Sequence, residues 1–121
     1  MMLTDDHARK IAEDWIDAWN RNDLDAIMAH YVDEIEFWSP LIISRLGIAS
    51  GKIEGKAQLR AYFARGLETI PNLHFELKQV LVGADSITIY YQRESGAYVA
   101  EMSVLNDAGK VIMSRVHYTA P

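Results

Sequence analysis

The chain contains no cysteine. Disulfides, thiolate nucleophiles and zinc–thiolate sites are therefore excluded. Positive charge is also scarce: 12 Lys and Arg stand against 17 Asp and Glu, leaving a net charge of −5. Nucleic-acid phosphates and anionic membranes are held by clustered cations. The Lys and Arg here are scattered, so neither partner is expected. No apolar run approaches the roughly 20 residues of a membrane span. The opening stretch, MMLTDDHARK, is acidic and has no apolar core, so no signal peptide is expected and the protein is read as cytoplasmic. The 4 histidines lack His-x3-His spacing, and GIASG does not lead from a strand straight into a helix. Neither a metal site nor a phosphate-binding cofactor loop is expected.

What remains is an ordinary balance for one folded domain: 121 residues, 50% of them apolar. Thr4 caps a first helix, with Asp5 and Asp6 in its first turn and Ala8, Ile11, Trp15, Ala18 and Trp19 on one stripe. Asp23 caps a short second helix, LDAIMAHY, and a strand follows from Ile35 to Ser39. Residues 40–55 read as a long connection, apolar at Leu41, Ile42 and Ile43 and expected to fold over the mouth of a pocket or across a partner subunit. A third helix runs from Lys56 to about Leu67 and buries Leu59, Tyr62, Phe63 and Leu67. Beyond Pro71 the period changes to two. LHFELKQVLV, SITIYYQR, AYVAEMSVL and VIMSRVHY are strands joined by GAD, ESG and NDAG, all of hairpin length. Helices followed by a meander make an α+β order. The strand around Ala100, Met102 and Val104 is apolar on both faces, so the outer sheet face is expected to be covered by a second copy in a homodimer.

As an ordered set, WIDAWNRNDLDAIMAHYVDEIEFWSP, GKIEGKAQLRAYFARGL, PNLHFEL and DSITIYY resemble the nuclear transport factor 2-like superfamily in its SnoaL-like branch. The resemblance implies a cone: a curved antiparallel sheet around a long N-terminal helix, two shorter helices, and an apolar cavity. It implies no single activity, because the superfamily holds isomerases, cyclases, hydrolases and proteins without known chemistry. The isomerase branch places its general base just before a proline, and here that position is Ser39, ahead of Pro40. Its oxyanion donor on the first helix falls on Trp15, and its protonated acid falls on Glu101. The epoxide hydrolase branch pairs an Arg with a following Asp, where this chain has Arg115 and Val116. Where the SnoaL-type cyclases carry a carboxylate, this chain has His117 and Tyr118.

Glu101 is the single charge in AYVAEMSVL, and burial would raise its pKa. A plain NDAG turn sets it opposite Arg115 as a cross-strand ion pair, whereas one more bulge sets it beside Ser114 and Tyr118. Both arrangements stay open here. His117 points either into the cavity or to the outer face with Arg115. Glu101 and His117 are the candidate acid–base residues. Trp15, Trp19, Phe37, Ser39, Tyr62, Tyr90, Ser103 and Tyr118 are the candidate wall of a site for a small hydrophobic molecule. Two readings follow: a binding protein of the SnoaL-like kind without chemistry, or a cofactor-independent isomerase, cyclase or hydrolase.

Overall fold

The computed structural model describes residues 2–119. Helix α1 (Asp5–Asn20) begins at its expected cap: the Thr4 hydroxyl accepts the His7 N–H at 3.1 Å, and Asp5 and Asp6 sit at the positive end of the dipole. Ala8, Ala12, Trp15, Ile16, Ala18 and Trp19 form its buried stripe. Asp23 then caps α2 (Leu24–Met28), accepting from the Ala26 N–H at 3.1 Å.

Strand β1 (Tyr31–Trp38) starts at Tyr31 rather than Ile35. The Val111 N–H donates to His30 O at 2.7 Å, and the Tyr31 and Val111 positions pair before the register shifts towards Glu36. The exposed pair Asp33–Glu34 lies in that irregular part, which hides the strand from a period-two reading.

Residues 40–55 are not an irregular connection. They hold α3 (Pro40–Leu46) and β2 (Lys52–Glu54), which pairs with β1. Ser39 caps α3, its hydroxyl accepting the Leu41 N–H at 3.2 Å, and Pro40 occupies the first turn, where no N–H is needed. Gly47, at φ 70°, ends the helix in the left-handed region. Helix α4 (Lys56–Thr69) runs past Gly66, and the Thr69 hydroxyl bonds back to Arg65 O at 2.8 Å.

The meander is as the pattern predicts: β3 (Phe75–Val82), β4 (Ser86–Arg93), β5 (Tyr98–Leu105) and β6 (Val111–Tyr118), antiparallel in sequence. The sheet is curved and unclosed, in the order β2-β1-β6-β5-β4-β3. One pair, β1 with β6, is parallel. A parallel neighbour needs a crossover connection, and everything from α3 to β5 serves as that connection. α1 packs on β3, α4 on β1 and β2, and α2 against both α1 and α4. The inner sheet face thus carries the core, including Phe37, Ile87, Ile89, Tyr91, Val99, Glu101, Ser103 and Val116.

Register settles the two arrangements of Glu101. Asn106 pairs with Lys110 as expected and Leu105 faces Val111, but Val104 faces Met113. Ile112 is the extra residue of a bulge. Glu101 therefore stands opposite Val116, between Ser114 and Tyr118, and not opposite Arg115.

The junction of β1, α3 and β2 depends on Gly51. Its φ is 73°, Ser39 N–H donates to its carbonyl at 2.9 Å, and an added Cβ would lie 3.0 Å from Ser39 O and 3.3 Å from Ile43 Cγ1. Gly51→Ala is expected to cost about 2 kcal/mol, from positive-φ strain plus the backbone contact. Gly47→Ala, with the same sign of φ and open space around it, is expected to cost about half as much. Urea denaturation of both variants checks this, and equal losses would remove the steric contribution at Gly51.

Candidate functional site

Aromatic residues from α1, α4 and three strands meet at one end of the core. Trp15 stacks on Phe75 at 5.9 Å between centroids and meets Tyr91 edge-on at 5.6 Å. Trp19 and Phe37 both meet Phe63 edge-on, at 4.8 and 5.3 Å. Such pairs add roughly 0.5–1.5 kcal/mol each beyond the area they bury. They also enclose a cavity of about 50 Å3, with Trp15, Trp19, Phe37, Tyr62, Glu101 and Tyr118 on its wall.

Among the described residues Glu101 is the single carboxylic acid on that wall. It is 4% exposed and accepts a hydrogen bond from the Tyr91 hydroxyl at 3.1 Å. Burial pushes its pKa up to about 7; the Tyr91 hydrogen bond and the Arg93 charge pull the other way and only partly offset the burial. The surrounding phenols hold their protons. Burial pushes Tyr118 up to about 12, aided by the Glu101 charge, and drives Tyr31 and Tyr91 well above the usual phenol range. The Trp15 indole N–H donates to Tyr31 Oη at 2.9 Å. Trp19, by contrast, keeps a buried indole N–H with no acceptor among the described residues.

The other candidates divide by face. Ser39 is buried; its hydroxyl accepts the Leu41 N–H as the cap of α3, its side chain also acts on Tyr118 of the cavity wall, and it borders a second hollow with Trp38 and Arg115. Ser103 lies on the inner face and pairs with Ser114, Oγ to Oγ 2.8 Å, without lining the cavity. Tyr90 lies on the outer face, stacked on Tyr98 at 5.6 Å. Its neighbour Tyr91 takes the wall position, which parity with Ile87 and Ile89 in SITIYYQR would have given. His117 is exposed on the outer face, with Nδ1 3.3 Å from Ala100 O, on the side of Arg115 and away from Glu101. Arg45 and Arg93 line the cavity and were not legible as site residues. Arg45 arrives on α3, a helix hidden in a stretch read as a loop, and Arg93 stands at a strand end. Among the described residues no three His, Asp or Glu side chains gather as a metal site, and no helix is long and apolar enough to cross a membrane.

The raised Glu101 pKa has a stability consequence. Between pH 4.5 and about 7 the folded state holds a proton that the unfolded state has released. Stability from this group is therefore greatest below that window, falls as pH rises through it, and is level above it. The total is about 3 kcal/mol. Glu101→Gln is expected to lose this slope, gaining on the wild type from pH 5 to pH 8 by about that amount. Urea midpoints across the range measure it, and parallel profiles would refute the buried proton.

Residues 12–116 match the SnoaL-like domain family. No curated protein matches the sequence. Among solved structures, a SnoaL-like protein of unknown function from Burkholderia thailandensis is 38% identical, with a TM-score of 0.95 over 99% of this chain and 100% of that one. An NTF2-like protein of unknown function from Cytophaga hutchinsonii is 13% identical, with a TM-score of 0.71 over 98% of this chain and 93% of its own. SalBIII, an epoxide hydrolase/cyclase-like enzyme in pyran ring formation of the polyether salinomycin, is 18% identical, with a TM-score of 0.74 over 95% and 92%. The fold, its sheet order and the match over most of its length place this chain in the SnoaL-like family.

Proposed function

We propose that the protein binds a small, largely apolar molecule that sets one oxygen-bearing end beside Glu101. The observation that carries this reading is a lone buried carboxyl, held by one hydrogen bond from Tyr91, on a largely aromatic cavity wall, where burial raises its pKa towards neutrality. A protonated carboxyl donates to a carbonyl, and Trp19, on the same cavity wall, has a buried indole N–H without an acceptor among the described residues. The inner cavity of about 50 Å3 suits only the slim end of a ligand, and its body extends into adjoining hollows of about 240 and 250 Å3.

The second reading, a cofactor-independent isomerase, cyclase or hydrolase, draws on the same residue. A carboxyl with a pKa near 7 can both take and return a proton at neutral pH. The likeness to an epoxide hydrolase/cyclase-like enzyme points the same way at the level of fold. In this reading Glu101 acts without His117, which lies outside, and without Ser39, whose hydroxyl caps α3.

Two copies pair, in the same proposal, through the outer sheet face. Ala100, Met102 and Val104 of β5 lie there half-buried beside the Tyr90–Tyr98 stack. Sedimentation is expected to give a dimer that Met102→Glu converts to a monomer. A wild-type monomer at every concentration would overturn the pairing.

Heptan-2-one is a suitable probe, because Trp15 and Trp19 line the cavity and report occupancy by fluorescence. Its affinity is expected to fall about tenfold from pH 6 to pH 8 as Glu101 loses its donor proton, and to be independent of pH in Glu101→Gln. In heavy water the enzyme reading adds exchange at the ketone α-carbon that rises with pH and vanishes in Glu101→Gln. Binding without exchange leaves the first reading alone, and absence of binding ends both.

A further inference from the structure

The mouth of the cavity carries charge opposite in sign to the protein as a whole. Arg45 borders the inner cavity and both adjoining hollows; Arg65 joins it in the hollow of about 240 Å3, and Arg93 in that of about 250 Å3. Among the described residues neither Arg45 nor Arg65 forms an ion pair, and the partner of Arg45 is the uncharged Tyr62 side chain. Arg93 meets one carboxylate, Glu94, with Nε 3.5 Å from Oε2. Its side chain is 11% exposed, and its Nε is buried with no hydrogen-bond acceptor. Glu94 is already engaged, accepting the His74 N–H at 3.3 Å on its other oxygen. The rim therefore gathers three guanidiniums against a single carboxylate, in a chain of net charge −5.

Arg93 stacks over the Phe75 ring at 5.4 Å, but among the described residues folding supplies no acid to Arg45 or Arg65. Exposed cations are ordinarily dispersed among acids, and an arginine N–H that is buried without an acceptor is a cost. Guanidinium is also the group whose planar donors match a carboxylate in pairs. A neutral ligand would leave the rim unmatched, whereas an anionic one would complete it.

Resting on the reading of the cavity as a small-molecule site, we infer that the ligand is an amphiphilic carboxylic acid: a slim carbonyl or hydroxyl end between the aromatic walls beside Glu101, and an apolar body that leads out to a carboxylate held by Arg45 at the adjoining hollows, with Arg65 or Arg93 reinforcing it. The two ends are read by opposite chemistry. The inner one meets an uncharged acid in a dry wall, and the outer one meets fixed positive charge at the water boundary.

Three probes separate the elements of this assignment: 6-oxoheptanoate, its primary amide, and heptan-2-one, each titrated by tryptophan fluorescence below pH 7, where Glu101 holds its proton. The oxoacid is expected to bind roughly tenfold tighter than the amide at low salt, with the advantage shrinking at high salt. Arg45→Ala removes most of the oxoacid's advantage over the amide, leaving the share that Arg93 and Arg65 supply, and Arg45→Lys retains more of it. Arg45 is exposed on α3, so an unchanged melting temperature is expected of both variants. Equal affinity of the wild type for oxoacid and amide overturns the inference and leaves the pocket reading standing. Failure of all three probes to bind takes down the pocket reading and the inference with it.

Discussion

The rest of the site follows from one costly placement, a carboxyl group buried at the centre of an aromatic wall. A buried carboxylate without a partner is expensive enough that the group keeps its proton instead. Here Tyr91 supplies one hydrogen bond and Arg93 a modest field, and neither cancels the effect of burial on Glu101. The neighbouring phenols are held neutral by the same exclusion of water. The inner wall around Glu101 is therefore lined by polar groups that carry protons but little charge, while the guanidiniums of Arg45 and Arg93 lie on the same cavity's lining, a division that suits a ligand with an uncharged oxygen at its inner end.

A single bulge makes that placement possible. Without the extra residue at Ile112, the Asn106–Lys110 turn would set Glu101 opposite Arg115, and the pair would share a face as an ordinary cross-strand ion pair. With it, Arg115 lies on the outer face, 4.3 Å above the Trp38 ring, and Glu101 turns inward, where it accepts the Tyr91 hydroxyl. At the other end of the site, Ser39 and Pro40 convert the end of β1 into the start of α3, and α3 brings Arg45 to the mouth. The Ser39 hydroxyl serves as the cap of α3.

Much of this was legible in the sequence, and the misses have physical causes. The caps at Thr4 and Asp23, the buried stripe of α1 and the four-strand meander follow from local rules that the tertiary structure does not override. Glu101 stood out because it interrupts an apolar strand. Its partner could not be read, because a bulge changes register without leaving a mark in composition. α3 was missed although Ser39-Pro40 and Gly47 are proper start and stop signals. Its apolar residues Leu41, Ile42 and Ile43 are consecutive and show no helical period over so short a span. Alternation with the buried Ile87 and Ile89 puts Tyr91, not Tyr90, on the inner face. His117 could not be assigned a face until the register of β6 was known.

The presence of one acid on the wall, and not two, narrows the chemistry such a site can support. Hydrolysis that activates water with one group while protonating a leaving oxygen with another needs two proton carriers held apart in pKa. The wall offers Glu101 near neutrality and tyrosines displaced far from it, with Tyr118 at about 12. Those phenols can donate hydrogen bonds but hold their protons too firmly to cycle them at neutral pH. A proton taken by Glu101 must therefore return to the ligand from Glu101 itself or be lost to water. Binding asks nothing more of the site than this, and among reactions a proton shift within one molecule asks least. A hydrolytic role would need a second titrating group that the outward-facing His117 and the capped Ser39 do not supply.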